Sequence, residues 1–229
     1  MKKIFIVICV LFLSNAAFSQ QIKSKNAELE DLMGLLKASG YELFNFDITD
    51  MLKEQYIIQI VSKEYDKEGE ITSKNLTTAQ NKVLLTEFPE SSWQRIIDDG
   101  RVIDPETKAI AHAEKIVFGF HPSKNDSTVL LQLNIPNITM TGTSLKMRSI
   151  SFKDSDEKWY KYHIRPFKIE TFKEDTFIPL VLFGSMWHDE RFDIFRFCGE
   201  KEIAPDMSSD ILKDVPHYYV FGVIFKKKQ

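Results

Sequence analysis

The sequence predicts a mainly β chain of the α+β class: antiparallel sheets, as a sandwich or open barrel, with an N-terminal helix packed on the sheet. Three observations predict it. One apolar stripe at helical spacing, Leu29, Leu32, Met33, Leu35 and Leu36, stands alone near the start. Residues 115–225 then hold a series of strand-like runs with no helical pattern between them, which favours antiparallel pairing. Within one such run, Tyr160, Tyr162 and Ile164 alternate with Trp159, Lys161, His163 and Arg165, the signature of one buried and one solvated face.

The elements follow in chain order. Lys2 and Lys3 precede an unbroken apolar run, Ile4 to Leu13, and Ala17-Phe18-Ser19 places small residues at a cleavage site. This is the pattern of a signal peptide over residues 1–19, too short to span a bilayer, with Gln20 as the mature N-terminus. Cys9 follows Ile8 inside the run, so no lipid-anchor motif is present. No later stretch predicts a transmembrane helix. The expected location is therefore outside the cytoplasm, periplasmic or extracellular, with residues 20–229 as one β-rich domain.

The helix over Leu29–Leu36 has acidic residues at its start, Lys37 at its end and Gly40 as a left-handed stop. Tyr41–Asp47 and Tyr56–Val61 read as strands, and the charged continuation to Gly69 suits a turn. Ser91 and Gln94 have capping-box spacing for a short helix ending at Gly100. Asp104-Pro105 admits a helix start or a type I turn between two short strands, and the flanking Val and Ile pairs favour the hairpin. Further strands are expected at 115–121, 128–135, 144–153, 158–166, 177–183, 191–198 and 217–225, with a short helix over 206–214. Phe192–Cys198 and Tyr218–Phe225 are apolar in both phases and read as central strands covered on both sides.

Composition narrows the function classes. The chain has 229 residues, 43% hydrophobic and 28% charged, with a net charge of −3, which suits a globular core and lacks the basic excess of a nucleic-acid binder. After loss of Lys2 and Lys3, 28 of the 30 basic residues face 33 acidic ones. Only Cys198 then remains, so no intrachain disulfide can form, and its run reads as a buried small hydrophobe.

No phosphate loop, nucleophile elbow or zinc-protease motif is present, and nothing implies a cofactor. The densest polar cluster, Trp187-His188-Asp189-Glu190-Arg191, reads as a solvated hairpin turn. Its rival reading is a metal or catalytic site in which His188 and Asp189 converge with His217. Asp154, Asp156 and Glu157 lack the glycine and terminal acid of a calcium loop. Glu87 and Glu90 bracket Pro89 without the fixed separation that paired catalytic carboxylates need.

Aromatic residues make up 12% of the chain. Trp159 is the first candidate for a sugar-stacking platform because it shares a solvated face with Lys161, His163 and Arg165; Trp187 and Trp93 follow. The same cations suit an acidic glycan or an anionic head group.

The leader ending Ala17-Phe18-Ser19 before Gln20-Gln21, with the aromatic strand texture, resembles the small secreted proteins of unknown function of gut Bacteroidetes. The resemblance implies that Asp126-Ser127-Thr128 is an O-glycosylation acceptor, with Ser127 carrying the glycan.

The expected function is thus a non-enzymatic binding or interaction protein for a glycan or an envelope protein. Two alternatives are a secreted hydrolase or metal-dependent enzyme using His188, Asp189 and Glu190, and a structural or assembly component of the envelope.

Overall fold

The structure, a computed structural model, describes Asn26 and residues 28–152, 155–169, 172–189, 191–197 and 201–228. The leader, Asp154, Glu190 and Cys198 lie outside the described residues. The chain divides into two compact units, residues 1–36 and 37–229, each described by itself.

Helix α1 spans Leu29–Ala38, as the apolar spacing predicts. Of its stripe, Leu29 is 69% exposed, Leu32 51% and Leu35 67%. Amphipathic spacing specifies a face that can be buried, not what buries it.

Two antiparallel sheets make up the body of the second unit. The four-stranded sheet runs β1 (Glu42–Asp47), β6 (Lys115–Pro122), β7 (Thr128–Ile135), β8 (Thr139–Lys146). The five-stranded sheet runs β11 (Tyr162–Pro166), β12 (Ile178–Ser185), β15 (His217–Lys227), β2 (Tyr56–Asp66), β3 (Gly69–Gln80). Three short pairs complete the fold: β4 (Lys82–Leu84) with β5 (Ala109–His112), β9 (Ile150–Phe152) with β10 (Ser155–Trp159), and β13 (Trp187–Asp189) with β14 (Ile194–Arg196). Among the described residues no sheet closes into a barrel, so the architecture is a sandwich.

Alternation builds the core between the sheets. Ile116, Phe118, Phe120, Leu131, Leu133 and Ile135 of one sheet meet Ile58, Ile60, Val181, Phe183, Phe221 and Val223 of the other. Phe120 is the pivot, with ring centroids 5.7 Å from both Phe183 and Phe221. In β1, Phe44 and Phe46 turn inward onto Phe120 and Phe118 while Leu43 stays 59% exposed.

β12 and β15 are apolar in both phases because both faces are covered, as the sequence predicts for β15. Leu182, Tyr218 and Val220 point away from the other sheet and pack under Phe167, Ile203, Leu212 and Val215. At Gly222 of β15 an added Cβ would overlap the Ile178 carbonyl oxygen and the Phe177 ring, so close approach to β12 requires glycine.

Several expectations change. The charged run Ser62–Asp66 continues β2, and Gly69 opens the polar edge strand β3. The 158–166 run breaks after Trp159, giving the end of β10 and then β11. The 191–198 run holds only the three-residue β14 and is no central strand, with Phe192 61% and Ile194 46% exposed. Helix α2 (Glu90–Asp98) ends at Gly100, whose φ of +66° is the left-handed stop, but its N-cap is Pro89 and the Ser91–Gln94 box does not form. The hairpin reading of 102–110 holds: Asp104 bridges Ala109, and its carboxylate accepts from the Glu106 N–H at 3.0 Å. The 206–214 helix reduces to a 3-10 turn at Asp210–Lys213.

Candidate functional site

In β11, Tyr162 and Ile164 turn into the main core, as the alternation predicts, and the predicted binding residues His163 and Arg165 take the opposite face. That face is the one β14 comes to lie over, because Phe197, just past β14, packs on the second core. The His163 ring stands 5.0 Å from the Phe197 ring, and the Arg165 guanidinium 5.2 Å above it. Two residues earlier on the same face, Phe195 stacks on Trp159 at 6.0 Å with their planes 11° apart. Lys161 Nζ sits 4.7 Å from the Trp159 ring centre and 5.5 Å from that of Phe195. Arg196 lies 5.0 Å over Phe192 at the hairpin tip.

The result is one surface on which aromatic rings and cations interleave, with Trp159, Lys161, His163 and Arg165 all part of it. Each ring holds a cation by its negative face, which partly desolvates the charge and fixes its direction. Burial, then the Arg165 and Lys161 charges, pushes the His163 imidazole below its ordinary value, so Lys161 and Arg165 are the permanent charges.

Asp189 anchors the hairpin. Its buried carboxylate accepts from Arg191 Nε and Nη2, both at 3.1 Å, and lies 2.8 Å from Arg196 Nε. The two guanidiniums hold it below the usual carboxylate range, Arg191 first. His188 contacts Asp193 Oδ1 at 3.0 Å. Residues 187–189 form one arm of a hairpin, but they are not the solvated turn expected: Asp189 is buried and Trp187 packs against the second core. His188, Asp189 and His217 each serve a different partner. Among the described residues no three His, Cys, Asp or Glu side chains group to hold a metal.

His217, 1% exposed, is part of a relay that the sequence did not indicate. The Arg148 N–H donates to Tyr162 Oη at 2.9 Å, so the Tyr162 hydroxyl donates to His217 Nδ1 at 2.6 Å. The network thus assigns the imidazole proton to Nε2, which donates to Glu64 Oε1 at 3.1 Å. Burial holds His217 below its ordinary value against the pull of Glu64. The relay ties β11, β15 and β2 and borders a cleft of about 360 Å³, shared with Trp187, His188, Arg148 and Lys67. Both ring nitrogens of His217 and the Tyr162 hydroxyl are engaged within the relay, which fastens these strands.

The remaining candidates have structural tasks. Trp187 packs against the second core, and Trp93 Nε1 donates to the Phe88 carbonyl at 2.8 Å. Glu87 accepts from Gln55 and Lys228, so it is a clamp and not half of a catalytic pair. Ser127 lies in the β6–β7 turn, its hydroxyl donating to Asn125 Oδ1 at 2.7 Å.

A second concavity, about 480 Å³, opens at the other end of the sandwich among Phe46, Ile48, Met51, Ile178, Leu180 and Phe225. No helix among the described residues is long and apolar enough to cross a membrane.

No curated protein and no solved structure matches the chain. Residues 11–227 match the family described as Domain of unknown function (DUF5041), and the chain belongs to that family.

Proposed function

We propose that this chain is an exported binding protein that recognises an acidic glycan on the face formed by Trp159, Lys161, His163 and Arg165 with Phe195 and Phe197. The observation that carries the reading is the Trp159–Phe195 stack with Lys161 Nζ 4.7 Å from the Trp159 ring centre. Sugar rings stack on aromatic faces through their C–H edges, and carboxylates or sulfates are met by Lys161 and Arg165. The signal-peptide pattern of residues 1–19 supports export.

Calorimetric titration with hexagalacturonate, with maltohexaose as the neutral control, tests the reading. The acidic hexamer binds, the neutral one binds more weakly, and affinity falls with added salt. Trp159→Ala and Lys161→Ala each weaken binding about tenfold, equivalent to about 1.4 kcal/mol. Equal affinity for both sugars, or unchanged binding in both variants, contradicts it.

A further inference from the structure

We infer that the cavity at the open end of the sandwich is a second ligand site, which takes the alkyl chain of an amphiphile with a cationic head group. The cavity lies by the ends of β1 and β15, at Asp47 and Phe225. Ile116 of β6, Leu180 of β12, and Val223 and Phe225 of β15 form a floor 0–3% exposed, yet about 480 Å³ above them is unfilled. Native cores rarely leave voids larger than a water molecule. An apolar space of this volume lies within the range of small-molecule sites and is too poor in polar partners to hold ordered water well.

The rim sets the head group. Asp47, Thr49 and Asp50 line the mouth, and among the described residues no lysine, arginine or histidine lines the cavity. Asp47 Oδ1 accepts from both the Thr49 hydroxyl at 2.6 Å and the Thr49 N–H at 2.8 Å. Those bonds favour the charged carboxylate and leave Oδ2 for a ligand. Among the described residues, Ile169 and Phe172 also line the cavity. A fatty acid would place its carboxylate against Asp47 and Asp50, whereas an alkylammonium finds complementary charge there. Both sites of the molecule are thus concave or aromatic, but their charges are opposite. The cavity lies apart from the aromatic surface, so this inference does not depend on the glycan reading.

Calorimetric titration of the whole protein with dodecyltrimethylammonium below its micelle concentration tests the inference, with dodecanoate as the anionic counterpart. The cationic chain binds one to one and about tenfold more tightly than the anionic one, a difference of about 1.4 kcal/mol. The exposed-rim pair Asp47→Asn with Asp50→Asn brings the two affinities together while chain binding persists. Ile178→Trp fills the cavity and abolishes both; if that variant does not fold, Met51→Trp from the 3-10 turn serves. Trp159→Ala leaves this binding unchanged. Absence of saturable binding, dodecanoate binding as tightly as the ammonium, or binding undiminished in a folded cavity-filling variant overturns the inference.

Discussion

His217 is buried to 1% between an acceptor and a donor, and that position dictates how the protein responds to acid. Its neighbours are Tyr162, Glu64, Asp66 and Arg148, and burial outweighs the two carboxylates in holding the ring neutral. An imidazole neutral in the folded chain but open to protonation in the unfolded one makes the unfolded state bind more protons. Stability then rises with pH. The contribution is complete above about pH 6.5 and drains as pH falls below it, with a slope of at most about 1.4 kcal/mol per pH unit. Asp66, held low chiefly by the Glu68 N–H, and Glu70, held low chiefly by Lys63, add acid sensitivity at lower pH. Urea unfolding between about pH 5 and pH 8 should show this slope in the native sequence and a flatter one in His217→Gln. An identical slope in the variant would assign the effect elsewhere. Nothing in the sequence announced this residue as structural, because Glu64 lies 153 positions away and only the register of β2 on β15 brings it close.

Elements are fastened to one another by polar side chains as much as by apolar ones, and Asn81 is the clearest case. Fully buried between β3 and β4, it accepts from the Tyr56 N–H at 2.7 Å and donates to the Met51 and Glu54 carbonyls at 2.7 and 3.0 Å. One amide thus satisfies backbone groups of β2 and of the segment before it. Asn81→Ala leaves those groups dry and unsatisfied and should cost about 3 kcal/mol, readable as a lowered urea midpoint at unchanged m-value. A change under about 0.5 kcal/mol, typical of surface sites, would show that water replaces the amide.

The same scale shows what the sequence disclosed. β6, β7, β12 and β15 were legible because burial imposes alternation or continuous apolarity on them. β3 was not, since an edge strand with much of its surface wet is mostly polar, as at Thr72, Ser73 and Asn75, and its few apolar residues, Ile71, Leu76 and Ala79, make no clear alternation. β14 misled in the other direction. Phe192 and Phe195 are apolar to serve arginine, lysine and tryptophan partners on a surface, not to fill a core. Of the four candidate binding residues, His163 and Arg165 follow the pleat of β11 as read, whereas Trp159 ends β10 and Lys161 lies between the strands; the rings of Phe195 and Phe197 came from a hairpin with no sequence signal linking it to them.

At the scale of the second unit, the sandwich leaves three different environments. The inter-sheet core is apolar and closed except at one end; the outer face of the four-stranded sheet is solvated; the outer face of the five-stranded sheet is covered by the second core and then by rings and cations. Among the described residues the last brings flat ring faces and positive charge together, along the edge strand β11 and the hairpin of β13 and β14. That surface is the proposed ligand site. Hydrogen–deuterium exchange with and without saturating hexagalacturonate tests this most directly. Binding there slows amide exchange in residues 159–165 and 187–197 and leaves β7 and β8 unchanged. Protection confined to any other part of the chain, or none at saturation, would contradict it.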